Sequence, residues 1–320
     1  MLLIKNNETG LQSVSKQRFP VTVLDWIALS RPPFHSVGIL PFLLGTLLAW
    51  RMEARFDRSI FGLGATAVIL IMLSTYHVGE YFDQMEDRLS KKRFKSRFSG
   101  GSGVIPAGKS SAVVSLWTSI ISLFLAGIVG IILQFFLNTG SYTLLLGSIG
   151  GLSGFLYSTK PVRLVERGVG EVFIGFCYGW LPVAVAFYIQ TGVIHPVVHW
   201  ISIPIALTIF NVIFLNEFPD YPSDLAVGKK NILVRVGRER GTMIYVLISV
   251  LGWFFFFLAL RTGVPGKGFY LYLPVMAVSA TLVVMTLLRK YKNPETLEAM
   301  CGANILVNLG TTASFIFAYW

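Results

Sequence analysis

Nine apolar runs separated by short polar loops make up most of the chain: about residues 34–50, 59–82, 111–136, 141–158, 170–190, 197–218, 241–261, 269–288 and 300–319. Each approaches the roughly 20 residues that a helix needs to cross a bilayer. The pattern predicts an all-α polytopic membrane protein, nine transmembrane helices forming one membrane-embedded domain over residues 1–320. Residues 19–30 read as a short interfacial helix with Trp26 at headgroup depth, stopped by Arg31-Pro32-Pro33, and residues 1–18 as a loose polar segment.

Composition agrees with the pattern. Hydrophobic residues make up 54% of the 320 positions and charged ones 13%, too apolar for an ordinary soluble protein of this length. The formal net charge of +11 does not point to nucleic acid, because the cations fall in loops between apolar runs, where they set topology. Arg51, Arg55, Arg58, Arg261 and Lys267 lie on one face, and the other 22 of the 27 Lys and Arg residues on the opposite one. The expected topology therefore has the N-terminus in the cytoplasm and the C-terminus outside, with a bacterial or archaeal cell membrane as the setting. Cys177 and Cys301 stand singly in apolar runs, which supports neither a disulfide framework nor a zinc site. No short apolar core with a small-residue cleavage site opens the chain, so no removed signal peptide is expected.

Against this background one polar pattern occurs twice. Gly79-Glu80-Tyr81-Phe82-Asp83-Gln84-Met85-Glu86-Asp87 aligns without a gap on Asn216-Glu217-Phe218-Pro219-Asp220-Tyr221-Pro222-Ser223-Asp224. The two share the glutamate, both aspartates and an aromatic after the glutamate. Each ends an apolar run and opens a basic loop on the face assigned to the cytoplasm. Carboxylates at the C-terminal end of a membrane helix oppose the helix dipole and are costly without a cation. Mg²⁺ takes oxygen ligands and is commonly shared between a few carboxylates and a substrate's phosphates. Asp83, Asp87, Asp220 and Asp224 are thus the candidate metal and catalytic residues, as two halves of one Mg²⁺–diphosphate site. Asp83 and Asp87 lie one helical turn apart; Pro219 and Pro222 predict a kink or unwound turn in the second copy.

Cations flank both copies. Arg88, Lys91, Lys92, Arg93, Lys95 and Arg97 precede Ser99-Gly100-Gly101-Ser102-Gly103, and Gly228-Lys229-Lys230-Asn231 with Arg235 follows the second copy. A basic glycine-rich loop suits a diphosphate, whose oxygens take cations and backbone amides. The third loop on that face adds Tyr157, Lys160 and Arg163, and Arg31 precedes the first span. His195 and His199 have HxxxH spacing but fall at the far end of span six, and two ligands are too few for zinc. Asn304 and Asn308 are expected to make interhelical hydrogen bonds. Gly147, Gly150, Gly151 and Gly154 form a face for close helix approach.

The two motifs with their basic loops resemble the UbiA-type intramembrane prenyltransferases, whose signature is NxxxDxxxD with a second aspartate-rich motif and a Gly-Lys-Arg/Lys stretch. Asn216-x-x-x-Asp220-x-x-x-Asp224 with Gly228-Lys229-Lys230 and Val234-Arg235-Val236-Gly237 matches closely. The first copy has Gly79 where the family has Asn. Phe155-Leu156-Tyr157 through Pro161, Arg167-Gly168-Val169-Gly170-Glu171 and Tyr188-Ile189-Gln190-Thr191-Gly192 are similar to the branch that prenylates 1,4-dihydroxy-2-naphthoate for menaquinone, although Lys160 stands one residue short of the family's YxxxK spacing. The resemblance implies a nine-helix bundle in which Mg²⁺, held by the four aspartates, binds a polyprenyl diphosphate. Asn216, Lys160, Tyr157, Arg88, Arg93, Lys229, Lys230, Arg31 and Arg163 would contact its diphosphate. The prenyl group would pass to an aromatic, quinone-type acceptor. A UbiA-type terpene cyclase, or a prenyltransferase for a non-quinone acceptor, is the alternative. An ion-coupled transporter is a lesser one, since transporter sites sit near the bilayer midplane on broken helices.

Overall fold

The structure is a computed structural model that describes residues 22–93, 97, 98 and 101–320, without the side chains of 91–93. The segment 1–18 and the first residues of the 19–30 helix lie outside the described residues. Among the latter, every regular element is helical. α1 (Val23–Ser30) opens on a capping box: the Asp25 N–H donates to the Thr22 hydroxyl at 3.1 Å and the Thr22 N–H to the Asp25 carboxylate at 3.3 Å. Val23 and Leu24 are exposed, whereas Trp26 turns inward and donates its Nε1–H to Thr118 at 3.3 Å. Arg31, in the left-handed region, ends α1 and begins α2 (Pro32–Glu53), whose first two positions are prolines that need no N–H there.

The remaining helices are α3 (Arg58–Phe82), α4 (Gln84–Arg93), α5 (Ala112–Ile131), α6 (Thr143–Ser158), α7 (Gly170–Gly175), α8 (Leu181–Thr191), α9 (Pro196–Val227), α10 (Ile232–Ala259), α11 (Lys267–Leu287) and α12 (Pro294–Tyr319). A π turn extends α5 to Phe136, and another joins α7 to α8, so that Gly170–Thr191 is one span. Each apolar run thus becomes a helix. Eight of them are long and apolar enough to cross a membrane; the ninth, α6, has only 16 residues, about 24 Å at 1.5 Å per residue. The expected count of nine therefore stands as eight full-length spans and one short helix.

α3 packs along α5, α2 along α8, α9 along α10, and α12 against α9, α11 and α2. Burying apolar surface does not drive helices together in lipid; close packing and interhelical hydrogen bonds do. Asn304 and Asn308 supply such bonds, as expected. Asn304 Nδ2 donates to the Asn211 carbonyl at 2.8 Å and its Oδ1 accepts from the Tyr245 hydroxyl at 3.0 Å, while Asn308 Nδ2 donates to Thr208 Oγ1 at 3.0 Å. On α6, a Cβ at Gly154 would fall 2.1 Å from Thr75 Oγ1, so the α3 contact requires glycine, whereas at Gly147 nothing lies within 4 Å.

One expectation is corrected. α9 does not unwind at its second aspartate pair but runs as 32 helical residues through Pro204, Pro219 and Pro222. A proline frees the carbonyl four residues back. Pro219 frees that of Leu215, which accepts the Cys301 Sγ–H at 3.7 Å; Pro222 frees that of Phe218, which accepts from Arg238 Nη2 at 3.1 Å. Both orphan acceptors are served from neighbouring elements, so the helix carries on to Gly228, its left-handed cap. The break comes instead in α10, at Gly237 (φ 80°, ψ 159°), a backbone only glycine adopts freely.

Candidate functional site

At one end of the bundle α4 packs on α9, and that contact joins the two motifs. All four aspartates line a single cavity of about 220 Å³, together with Arg31, Tyr157, Asn216 and Lys229. Asp83 caps α3 where the chain steps into α4, and Asp87 follows one turn later, its N–H on the Asp83 carbonyl at 2.9 Å. Ser158 Oγ donates to Asp83 Oδ2 at 2.8 Å and Arg163 Nη2 to its Oδ1 at 2.7 Å. Asp220 accepts a short hydrogen bond from Ser90. Asp224 is held by Asn231 Nδ2 at 2.9 Å and by Lys229 Nζ at 3.5 Å.

Three glutamates, Glu80, Glu86 and Glu217, bring the carboxylates lining this cavity to seven, against two cations, Arg31 and Lys229. Burial raises the pKa of Asp83 in spite of Lys229 and Arg163. Asp87 is pushed well above the usual carboxylate range by burial and then by the charges of Asp83 and Glu80. At Lys229 burial disfavours the ammonium, but Asp224 and Asp83 outweigh it and the pKa rises. Two acceptors, Asn216 Oδ1 and Glu217 Oε2, are buried without a hydrogen-bond partner among the described residues.

This set of groups suits a divalent cation. Among the described residues no three acidic, histidine or cysteine side chains stand at ligand spacing for one ion. Mg²⁺ does not require such a cage, because it usually takes one or two carboxylates and completes its shell with phosphate oxygens and water. A diphosphate entering seven carboxylates without a metal would meet repulsion.

The expected diphosphate ligands separate into groups. Lys160, Arg163 and Lys230 line a different, outer groove; Arg163 reaches the site from behind, through Asp83 and Glu86. Arg88 is exposed. The Arg93 side chain, with those of Lys91, Lys92 and Lys95 and residues Ser99 and Gly100, lies outside the described residues. The sequence reading missed Ser90, Ser158, Glu86 and Asn231, which contact the aspartates or Arg163. Only Glu86, three residues after Asp83, and Ser90, three after Asp87, sit at a helical spacing that marks them. It also missed how the loop approaches: Gly101 (φ 65°) lies so close that a Cβ would fall 2.1 Å from Asp87 Oδ2, and Ser102 donates from N and Oγ to Glu80 at 2.5 and 2.8 Å. His195 instead caps α9, and His199 accepts from Trp180 Nε1 at 2.9 Å.

A second cavity of about 320 Å³ adjoins the first and shares Thr75, Tyr157, Ile174 and Tyr178 with it. Its wall is otherwise largely apolar, with Gly147 and Leu146 of α6, Leu123 of α5 and Leu181 of α8.

An acid-lined chamber that continues into an apolar one, inside a polytopic helical bundle, is the architecture of a membrane enzyme for an amphipathic anion. The profile of the UbiA prenyltransferase family matches residues 38–308. The chain is 25% identical over 238 residues to a 2-carboxy-1,4-naphthoquinone phytyltransferase of Synechocystis, covering 72% of each. It is 27% identical over 211 residues to a 1,4-dihydroxy-2-naphthoate octaprenyltransferase of Bacillus subtilis, covering 66% of this chain and 65% of that one. Among solved structures, a UbiA homolog from Archaeoglobus fulgidus bound to GPP and Mg²⁺ superposes with a TM-score of 0.59 at 14% identity, covering 91% of this chain and 99% of the other. The chain belongs to the UbiA prenyltransferase family and is a membrane-embedded prenyltransferase.

Proposed function

We propose that the chain transfers a polyprenyl group from its diphosphate to an aromatic, quinone-type acceptor such as 1,4-dihydroxy-2-naphthoate, in a reaction that depends on Mg²⁺. The observation that carries this reading is the convergence of Asp83, Asp87, Asp220 and Asp224 on one cavity that opens into an apolar one. The names of the Synechocystis and Bacillus relatives support the acceptor class, and the ligands of the Archaeoglobus homolog support the metal and the diphosphate.

In this reading the four aspartates hold Mg²⁺, which when bound supplies the charge that makes diphosphate a good leaving group. Lys229, its charged form favoured by Asp224 and Asp83, contributes further positive charge to the leaving oxygens. Arg31 faces the same cavity from the start of α2. The prenyl tail lies in the apolar chamber, which places the breaking C–O bond near Tyr157 and Tyr178 at the junction. Their ring faces favour developing positive charge at the allylic carbon, and the apolar wall keeps water from capturing it. The acceptor then supplies the electron pair for the new C–C bond, and the attacked carbon regains its aromatic ring by giving up the substituent it carries, a hydrogen as H⁺ or a carboxylate as CO2, while the C–O electron pair leaves with the diphosphate. We place the site at the cytoplasmic ends of the spans, on the strength of the Lys and Arg distribution.

The test is product formation from labelled prenyl diphosphates of several lengths with dihydroxynaphthoate, hydroxybenzoate or homogentisate, each with Mg²⁺ or EDTA. Prenylated dihydroxynaphthoate formed only with Mg²⁺ is expected. A hydrocarbon product with diphosphate release and no acceptor would overturn the reading in favour of cyclisation.

A further inference from the structure

We propose that a groove outside the catalytic cavity, lined by Lys160, Arg163, Arg167, Lys230 and Arg235, is a second and metal-independent site for a phosphate-bearing anion. The groove has a volume of about 580 Å³, and among the described residues Glu166 is its one acidic side chain. Arg163 Nη1 already holds Glu166 at 2.8 Å, and its Nη2 is committed to Asp83 and Glu86. Lys160, Arg167, Lys230 and Arg235 are left with no acidic partner among the described residues.

Loop cations that served only to set membrane topology would extend freely into water. Two of these are tied down. Arg167 donates Nε to the Val162 carbonyl and Nη2 to the Pro161 carbonyl, both at 2.9 Å. Arg235 donates Nε to the Lys230 carbonyl at 2.6 Å and Nη2 to the Arg167 carbonyl at 3.2 Å. Neutral main-chain partners fix a guanidinium without cancelling its charge, and among the described residues the Nη1 hydrogens of each arginine have no partner. The close seat of Arg235 also explains Gly168, which has φ 71° and whose Cβ would lie 2.6 Å from Arg235 Nε. Pre-set arginine forks with two exposed lysines match the oxygens of a phosphate group.

Two ligands share this chemistry: inorganic diphosphate, and the headgroup of an anionic phospholipid at the membrane surface. Arg163 is the wall between groove and cavity, so an anion bound outside sits one side chain from Asp83.

The experiment uses the full chain in nanodiscs with excess EDTA and no prenyl substrate, so that the seven carboxylates of the metal-free cavity repel diphosphate and the groove alone is read. In one arm inorganic diphosphate is titrated in phosphatidylcholine nanodiscs; in the other, phosphatidylglycerol is added without diphosphate. A saturable rise in the unfolding midpoint of at least about 2 °C is expected in one arm or both, and the responding arm identifies the source. In Lys160→Ala/Lys230→Ala, which alters two exposed side chains, the apparent dissociation constant should weaken at least about tenfold. Lys290→Ala/Lys292→Ala, with the same charge removed from another loop, should keep the response. No rise in either arm, an unweakened Lys160→Ala/Lys230→Ala variant, or equal weakening in the control pair would overturn the proposal. Because Mg²⁺ and prenyl substrate are absent, none of these results bears on the prenyl-transfer reading.

Discussion

Arg163→Ala removes the cation that ties the first aspartate motif to the loop after α6. The side chain is 8% exposed and bonds Asp83 at 2.7 Å, Glu86 at 2.8 Å and Glu166 at 2.8 Å. Breaking a buried ion pair by deleting one partner costs about 3–5 kcal/mol, mostly from the charge left without a partner. Asp83 and Glu86, at 20% and 11% exposed, keep partial access to water, which puts the expected loss near the lower end, about 3 kcal/mol. Activity should fall about 100-fold, because Asp83 loses one of its two anchors and a shift of about 1 Å in a catalytic group costs that much. Arg163→Lys keeps the charge but loses the planar fork that reaches the three carboxylates from two nitrogens, and should fall between the two. The assay pairs the unfolding midpoint in detergent with the rate of prenyl product formation, both with and without Mg²⁺. Excess Mg²⁺ should restore part of the stability of Arg163→Ala, since the ion can neutralise the abandoned carboxylates. A variant as stable and as active as the parent would refute the assignment of Arg163 as the residue that positions Asp83.

Gly147→Phe projects into the apolar chamber, where nothing lies within 4 Å of a Cβ; the longest prenyl diphosphate accepted should shorten while the helical content stays unchanged. Gly101→Ala puts a Cβ against Asp87 Oδ2 at a φ of 65° and should cost about 1–3 kcal/mol, read as a lower midpoint and weaker Mg²⁺ dependence. The raised pKa of Asp87 makes its charged form the destabilising one in the metal-free fold. Its contribution is complete below the ordinary value of 3.8 and is lost as pH rises through the raised value. In EDTA the midpoint should therefore fall as the pH rises from about 4. Asp87→Asn should flatten that fall, and Asp83 should leave a residual slope; an equally steep fall in the variant would show that Asp87 is not responsible.

The aspartate pairs were legible because an acidic pattern repeated in register at the ends of two apolar runs is costly in a membrane protein unless both copies serve a cation. Their meeting in one cavity required that α4 fold back on α9. The glutamates show the limit of reading a repeat by position. Glu80 and Glu217 are equivalent in the alignment, yet Glu80 is bound by the Ser102 loop, whereas Glu217 Oε2 has no hydrogen-bond partner among the described residues. Consecutive lysines diverge for a similar reason: after the left-handed cap at Gly228, Lys229 turns into the cavity and Lys230 into the outer groove. The unbroken helical course of α9 was not legible, because the groups that take the carbonyls freed by Pro219 and Pro222, Cys301 and Arg238, come from α12 and α10.

The central claim is that two distant motifs make one Mg²⁺–diphosphate site, and binding of a non-reactive prenyl thiodiphosphate tests it most directly. The parent should bind only with Mg²⁺; Asp83→Asn and Asp220→Asn should each weaken that binding to a similar, still measurable extent, and the double variant should be no worse than either single one. Mg²⁺-dependent binding as tight as the parent's in either single variant, or losses that simply add in the double variant, would contradict it.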